Sequence, residues 1–285
     1  MSRSLAYTSV VFAGGGNRCI WQAGFWEVVA PALQLEPKVV AGASAGAHTA
    51  CVIFAGRSEF SKAYLNQITT DNRSNFRFSN LTKGKRPFPH YDMYRRSILT
   101  IFDEEAFSRL KRGPEIRVLL ACPPRWAGSL GGVMLGFLSY AFEKRITAPL
   151  HPKLPAALGF RPEIVPVSTC RNPEELADLI LASSCTPPVL PPMRRNGRPV
   201  LDGGLVDNVP VVAINPWELP TLVLLTRRYA PAKLHGYHGR TYVQPSEPVP
   251  VSKWDYTDPE GLEITYDLGR RDGERFLIDP RYSYR

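Results

Sequence analysis

The sequence predicts an α/β fold built on a mostly parallel central sheet, and three observations carry that prediction. Two short apolar runs, Thr8–Ala13 and Val39–Ala41, read as buried strands, each feeding a glycine-containing loop and then a helical pattern. The loops begin at Gly14 and Gly42, a spacing of about 28 residues that fits one βαβ crossover and sets both loops at the C-terminal ends of neighbouring parallel strands. With 285 residues, 44% hydrophobic and 21% charged, the chain is long enough to bury one large core. No linker demands a second domain. A single domain over 1–285 is expected, with a motif-bearing core at 8–226 and an extension at 227–285 packed on it.

Taken in order, Gly14-Gly15-Gly16-Asn17-Arg18 leads into a helical pattern over Cys19–Ala30 that Pro31 is expected to end. Gly42-Ala43-Ser44-Ala45-Gly46 opens a small-residue helix running from Ala45 through Phe54 to Gly56. Ser58–Asn66 reads as helix, and the polar, basic, proline-containing Asp71–Tyr91 as a surface excursion. Asp103 caps a helix over Asp103–Arg112 that Gly113-Pro114 stops. Ile116–Ala121 and Glu163–Ser168 are further strands. Asn172 caps Pro173–Ser184, with Pro173 in the first turn and Glu174 and Glu175 at the positive end of the helix. Arg194–Arg198 forms a basic hairpin tip, Leu222–Thr226 the last clear central strand, and Pro259–Phe276 a closing helix.

Ala127–Phe142 runs without a charge until Glu143-Lys144-Arg145. It is too short and too rich in glycine to span a bilayer. Two readings stand: a buried core helix, or an interfacial helix over Ala127–Arg145 that puts Leu135 and Phe137 into lipid and Lys144 and Arg145 at headgroups. The net charge of +9 is spread over Lys83, Lys85 and Arg86, over Arg194, Arg195 and Arg198, and over the tail arginines Arg270, Arg271, Arg281 and Arg285. No nucleic-acid module accompanies it, which leaves a solvated basic face or an anionic lipid partner. Five dispersed cysteines without a Cys-x-x-Cys pair argue against a disulfide framework and a zinc site, and no cofactor is expected. Met1–Ser4 passes straight into Leu5–Ala13, an apolar stretch needed as a strand, so a cleavable signal is not expected and the cytoplasm is the expected location.

Chemistry points to Ser44. A serine between strand and helix, flanked by Gly42 and Gly46, has the layout of a nucleophile elbow, although Gly-Ala-Ser-Ala-Gly alone also fits an ordinary tight turn. A serine hydroxyl needs a base. Of the five histidines, His48 sits four residues on along the same helix and reads as a packing residue. His90 and His151 lie in proline-rich loops. His235 and His238 alone follow the Ser…Asp…His order of α/β-hydrolases, in a flexible-looking segment. Asp202 precedes two glycines at the end of an apolar stretch; it is a candidate base whose weak basicity burial would raise, or simply the start of an Asp-Gly turn. Gly14, Gly15 and Gly16 expose consecutive amides, a nest for a developing oxyanion, with Arg18 beside them. The dinucleotide pattern Gly-x-Gly-x-x-Gly is not met, since Cys19 stands at the last position.

Gly14-Gly15-Gly16-Asn17-Arg18, Gly42-Ala43-Ser44-Ala45-Gly46 and Asp202-Gly203-Gly204 occur in that order, the last approached through Leu181-Ala182-Ser183-Ser184-Cys185-Thr186-Pro187-Pro188 and followed by Leu205-Val206-Asp207-Asn208-Val209-Pro210. Over Val10–Pro210 this resembles the patatin-like phospholipases. The resemblance implies a three-layer α/β/α fold and a lipid acyl hydrolase working through an acyl-enzyme without a metal. It makes Ser44 the nucleophile and Asp202 the base, with the amides of Gly15 and Gly16, together with Gly14 and Arg18, as the oxyanion hole. Cys19 stands where that family usually has glycine, which puts the role of Arg18 in question. Two other readings stay open: a Ser-His-Asp esterase using His235 or His238, and a catalytically silent lipid- or nucleotide-binding protein on the same fold.

Overall fold

The computed structural model describes residues 7–146, 149–279 and 283–284; the segment Met1–Ser4 and the tail arginines Arg281 and Arg285 lie outside them. Eight strands form the sheet: β1 (Ser9–Phe12), β2 (Val39–Ala43), β3 (Glu115–Cys122), β4 (Arg161–Pro166), β5 (Met193–Arg195), β6 (Arg198–Asp202), β7 (Thr221–Leu224) and β8 (Arg240–Val243). β3, β2, β1, β7 and β8 run parallel in that order, while β4 and β6 pair β3 antiparallel.

The register brings the two candidate motifs together. β4 covers one edge of β3 from Arg117 to Cys122. β2 takes the other edge up to the pair Ala43–Leu119, and β6 takes over that same edge with Asp202 opposite Leu120. The ends of β2 and β6 therefore meet head-on, Ser44 against Asp202. On the far side of β2, Phe12 pairs with Gly42, so the Gly14 loop emerges beside Ser44.

Alternation along the strands assigns the two faces. Val10, Phe12, Val40, Val118, Leu120, Leu222 and Leu224 point into the larger core. Over them lie α1 (Ile20–Leu33), α2 (Ala45–Phe54), α3 (Ser58–Asp71), the one-turn α4 (Phe78–Leu81), α5 (His90–Ile101) and α6 (Glu104–Arg112). The opposite face, with Val11, Ala41, Ala43, Leu119 and Val223, is covered by α7 (Gly128–Ile146), the short α8 (Leu154–Ala157) and α10 (Gly204–Asp207), and the run to Ile214. α9 (Pro173–Ser183) and α11 (Pro259–Ile278) complete the first layer. This is the expected sheet between two helical layers. α11 lies against α1 with little between the backbones: a Cβ on Gly269 would stand 2.2 Å from the Trp21 carbonyl oxygen, and one on Gly24 would stand 2.1 Å from that of Tyr266. The Trp21 indole N–H donates to Asp272 at 2.9 Å.

Both anticipated caps form. Asp103 accepts from the Ala106 amide at 2.8 Å and Asn172 from the Glu175 amide at 2.9 Å. Several expectations need correction. Pro31 lies inside the last turn of α1, and the helix ends at Leu33 with Gln34 left-handed; the amides of Gln34 and Leu35 close that end on the carbonyls of Pro31 and Ala30. α5, with its Tyr94, Ile98 and Ile101 stripe, fills a stretch without a sequence assignment, and β8 extends the sheet beyond the strand taken as last. The excursion at 71–91 is anchored rather than merely superficial, for Asn72 and His90 are buried.

α7 settles between its two readings. Val133 and Leu135 pack against the cluster of Phe160, Leu201 and Leu205, whereas Met134, Leu138 and nearby Trp126 are 58%, 66% and 75% exposed. Leu135 is thus a core-facing residue; the side chains of Phe137 and Lys144 lie outside the described ones. Among the described residues, no helix is long and apolar enough to cross a membrane. All five cysteines are free, and four of them are buried.

Candidate active site

Ser44 occupies a backbone conformation that serine seldom adopts, φ 54° and ψ −133°, the strained strand-to-helix turn of a nucleophile elbow. The two flanking glycines are sterically required. A Cβ on Gly42 would meet the Ala47 Cα at 2.5 Å, and one on Gly46 would meet the carbonyl oxygens of Phe12 and Ala13, each at 2.5 Å. Only hydrogen there lets α2 start flush against β1 and β2. The Ser44 amide donates to Ser183 Oγ at 2.8 Å, and that hydroxyl donates to the Leu119 carbonyl at 2.6 Å, so the turn is tied to β3 through α9.

Asp202 is held from its own loop. Its Oδ1 accepts from the Gly204 amide at 2.7 Å, and its amide donates to the Cys185 carbonyl at 2.9 Å. Ser44 and the carboxylate line one cavity. Burial pushes the Asp202 pKa above the usual carboxylate range, against the opposing pull of the Lys253 ammonium, the Gly204 amide and Ser44. Gly203 is needed for this approach, since a Cβ there would lie 2.1 Å from the Leu119 carbonyl.

The Gly14 loop runs alongside. Its amides are not equivalent. Gly14 donates to the Asn208 carbonyl at 2.9 Å and so is already engaged, which removes it from the set of available oxyanion donors. Among the described residues the amides of Gly15 and Gly16 have no acceptor, and both glycines line one cavity with Ser44 and Asp202. Arg18 lines the same cavity, and its side-chain Nε donates to the Val251 carbonyl at 3.4 Å. Cys19 is accommodated at the end of the 3-10 turn Gly16–Cys19, with its Sγ donating to the Ala13 carbonyl at 3.5 Å.

Two cavities meet at Ser44. One, the more polar of the two, is lined by Gly15, Gly16, Arg18, Asp202, Asn208 and Lys253. The other is the more apolar, a narrow cleft lined by Ile20, Val52, Leu65, Ile101 and Leu190. It follows one stripe of α2 (Ala45, His48, Thr49, Val52) toward Leu65 and Ile101. His48 belongs to its wall. It packs edge-on to Tyr94 and Phe102, and burial lowers its pKa to about 4, so it is a neutral packing residue. His235 and His238 line neither cavity; their loop leads to the start of β8, and His235 packs edge-on against Tyr284. A His–Asp contact does occur, between His151 Nδ1 and Asp207 Oδ1 at 2.9 Å, but neither residue lines the cavities at Ser44.

Residues 10–214 match the family model described as patatin-like phospholipase. The chain belongs to the patatin-like phospholipase family. Members of this family act on lipids and are typically hydrolases. Among solved structures the chain is similar in fold to VipD from Legionella pneumophila, with 13% sequence identity and a TM-score of 0.50, over 95% of this chain and 67% of that one. A search of curated proteins gave no match.

Several residues around this patatin-like site escaped the sequence reading. Ser183 and Asn208 stood inside quoted motifs, but nothing in their spacing marked them as anchors. Asn208 Nδ2 and Thr226 Oγ1 both donate to the Gly14 carbonyl, at 3.0 and 2.7 Å. The largest omission is a strap at 251–257, beyond the family match. The Lys253 carbonyl accepts the Asn17 amide at 3.2 Å. It also lies where a Gly16 Cβ would be, 2.3 Å away, at a glycine with φ +60°. On its other side the strap is held by Asn72, Asn75 and His90, through Tyr256 and the Trp254 carbonyl. Lys253 and Trp254 thereby reach the cavity from far along the chain.

The Ser183 anchor yields a direct expectation. Ser183→Ala leaves the Ser44 amide buried without an acceptor, a cost of about 1–3 kcal/mol, and should lower the thermal denaturation midpoint by several degrees. An unchanged midpoint would show that the elbow does not depend on this bond.

Proposed function

We propose that the protein is a serine carboxylic ester hydrolase acting on lipid acyl esters, of phospholipase A or lysophospholipase type, in which Ser44 is the nucleophile and Asp202 its base. One observation carries the reading: Ser44, held at positive φ, lies at the junction of the two cavities and shares one of them with the Asp202 carboxylate and the glycine loop.

In this mechanism the acyl chain lies along the α2 stripe and the leaving group in the polar cavity. Ser44 Oγ attacks the ester carbonyl carbon while its proton passes to Asp202. The carbonyl π pair moves onto oxygen, where the Gly15 and Gly16 amides at the positive end of the 3-10 turn receive it. The tetrahedral adduct collapses, the C–O bond to the leaving group breaks, and Asp202 returns the proton to that oxygen. Water repeats the sequence on the acyl-enzyme, with Asp202 again accepting and returning a proton. Burial supports the base by lifting its pKa toward working pH, which strengthens a carboxylate that would be weak in water.

The exposed side chains of Trp126, Met134 and Leu138 near and on α7, with Arg125 and Arg145 at either end, suit peripheral contact with a lipid surface, which would deliver substrate to a chain working on the membrane from solution. Paired substitution Trp126→Asp and Leu138→Asp should weaken sedimentation with anionic phosphatidylglycerol vesicles severalfold; undiminished binding would remove α7 from this role.

Ser44→Ala and Asp202→Asn should each reduce release of fatty acid from a phospholipid or a short-chain nitrophenyl ester by about a thousandfold or more. Because Asp202 must be ionised to accept a proton, wild-type kcat/KM should fall as pH drops through a pKa above the ordinary carboxylate range. Full activity in Asp202→Asn would overturn the assignment of the base, and unchanged turnover after replacing both His235 and His238 would exclude a histidine-dependent esterase.

A further inference from the structure

The strap brings a cation to the site, and the chemistry of the Ser44–Asp202 pair leaves it a role. Lys253 lines the polar cavity together with Ser44, Asp202, Gly15 and Gly16. Its backbone is fixed, since its carbonyl is bonded to Asn17 and packed on Gly16 while the next carbonyl bonds His90. Among the described residues its ammonium forms no direct ion pair; the acid acting on it is Asp202 across the cavity, while Arg18 and Arg227 repel it.

From the side of Asp202 the surroundings are equally sparse. The titratable groups around the carboxylate are the thiols of Cys19, on the 3-10 turn, and Cys185, after α9, with Lys253 on the strap and Arg18 in the lining of the same cavity. Burial pushes the Cys185 thiol up to about 12 and that of Cys19 higher still, so both are neutral. The Arg18 Nε is bonded to the Val251 carbonyl, and Lys253 is the cation whose charge acts on Asp202. A buried carboxylate without a cation takes up a proton and ceases to be a base.

We propose that Lys253 is the counter-ion of the Ser44–Asp202 pair, a positioning residue that keeps the carboxylate ionised and turned toward the serine. The inference rests on the reading of those two residues as nucleophile and base. It also fits the movement of charge during attack. As the Ser44 proton reaches Asp202, negative charge leaves the carboxylate and appears on the acyl oxygen above Gly15 and Gly16, within the same cavity. Lys253 thus faces a negative charge before and after the transfer. Its own ammonium titrates below the usual lysine range, chiefly through burial and then through Arg227 and Arg18, with Asp202 opposing, so its support should be lost on the alkaline side.

The test is the pH profile of kcat/KM for a soluble nitrophenyl ester in wild type, Lys253→Met and Lys253→Arg, with thermal melting as the check on folding. In Lys253→Met the acid limb should move to higher pH by about one pH unit, the effect of removing one neighbouring charge. Lys253→Arg should keep the wild-type acid limb and lose the alkaline one, because a guanidinium stays charged. A Lys253→Met profile lowered evenly with its acid limb in place would overturn the proposal, as would an alkaline limb that persists in Lys253→Arg. The arginine variant decides the matter alone if the methionine variant fails to fold. A wild type that hydrolyses no ester, or an active Asp202→Asn, would instead refute the underlying dyad. An inactive Asp202→Asn beside an unmoved acid limb in Lys253→Met refutes the counter-ion alone.

Discussion

A serine held at positive φ is the constraint on which the rest of the site depends. Residues other than glycine avoid that region unless their surroundings compel it, at a cost of about 1–3 kcal/mol. Here the compulsion is specific. Ser183 takes the Ser44 amide, Gly42 and Gly46 remove the two Cβ atoms that would keep α2 from the sheet, and the α2 backbone captures the Ser44 carbonyl through Ala47 and His48. The strain directs the hydroxyl out of the core, toward the point where β6 ends.

That β6 ends there follows from strand pairing. β2 stops at the level of Leu119 and β6 takes the vacated edge of β3 from Leu120, so serine and aspartate approach along one line though they are far apart in sequence. The Gly14 loop closes the third side because β1 is in register with β2. Asn208 and Thr226 then fix its first carbonyl and leave the next two amides unengaged. Every group in the site is therefore placed by a rigid element or by a hydrogen bond to one, as a preorganised electrostatic site requires. The strap at 251–257 supplies the fourth side and its cation.

Much of this was legible in the sequence because it depends on local chemistry. Glycines at 42 and 46, the run Gly14–Gly16 and Asp202-Gly203 announce close backbone approach, and the βαβ spacing brings two of the three loops together. The caps at Asp103 and Asn172 follow from the same local rules. What was hidden depends on long-range packing. Lys253 sits in a stretch with no periodic or motif signal, Thr226 and Ser183 in a strand and a helix whose patterns do not mark them, and their roles arise only once β7, α9 and the strap lie against the site. The same reason explains the anchored 71–91 segment, whose asparagines look like loop residues until Tyr256 and Asp255 are seen against them. Pro31 misled in the opposite direction, since a proline in the last turn costs one hydrogen bond and the helix still closes on the carbonyls of Ala30 and Pro31.

The central claim is that Ser44 is activated by Asp202 and by no histidine. Labelling with a fluorophosphonate probe, followed by peptide mapping by mass spectrometry, tests it most directly because it reports the nucleophile without a choice of substrate. One adduct on the peptide bearing Ser44, lost in Asp202→Asn and retained in a His235→Ala/His238→Ala double variant, is the predicted result. No adduct on Ser44 in the wild type, or full labelling of Ser44 in Asp202→Asn, would contradict it.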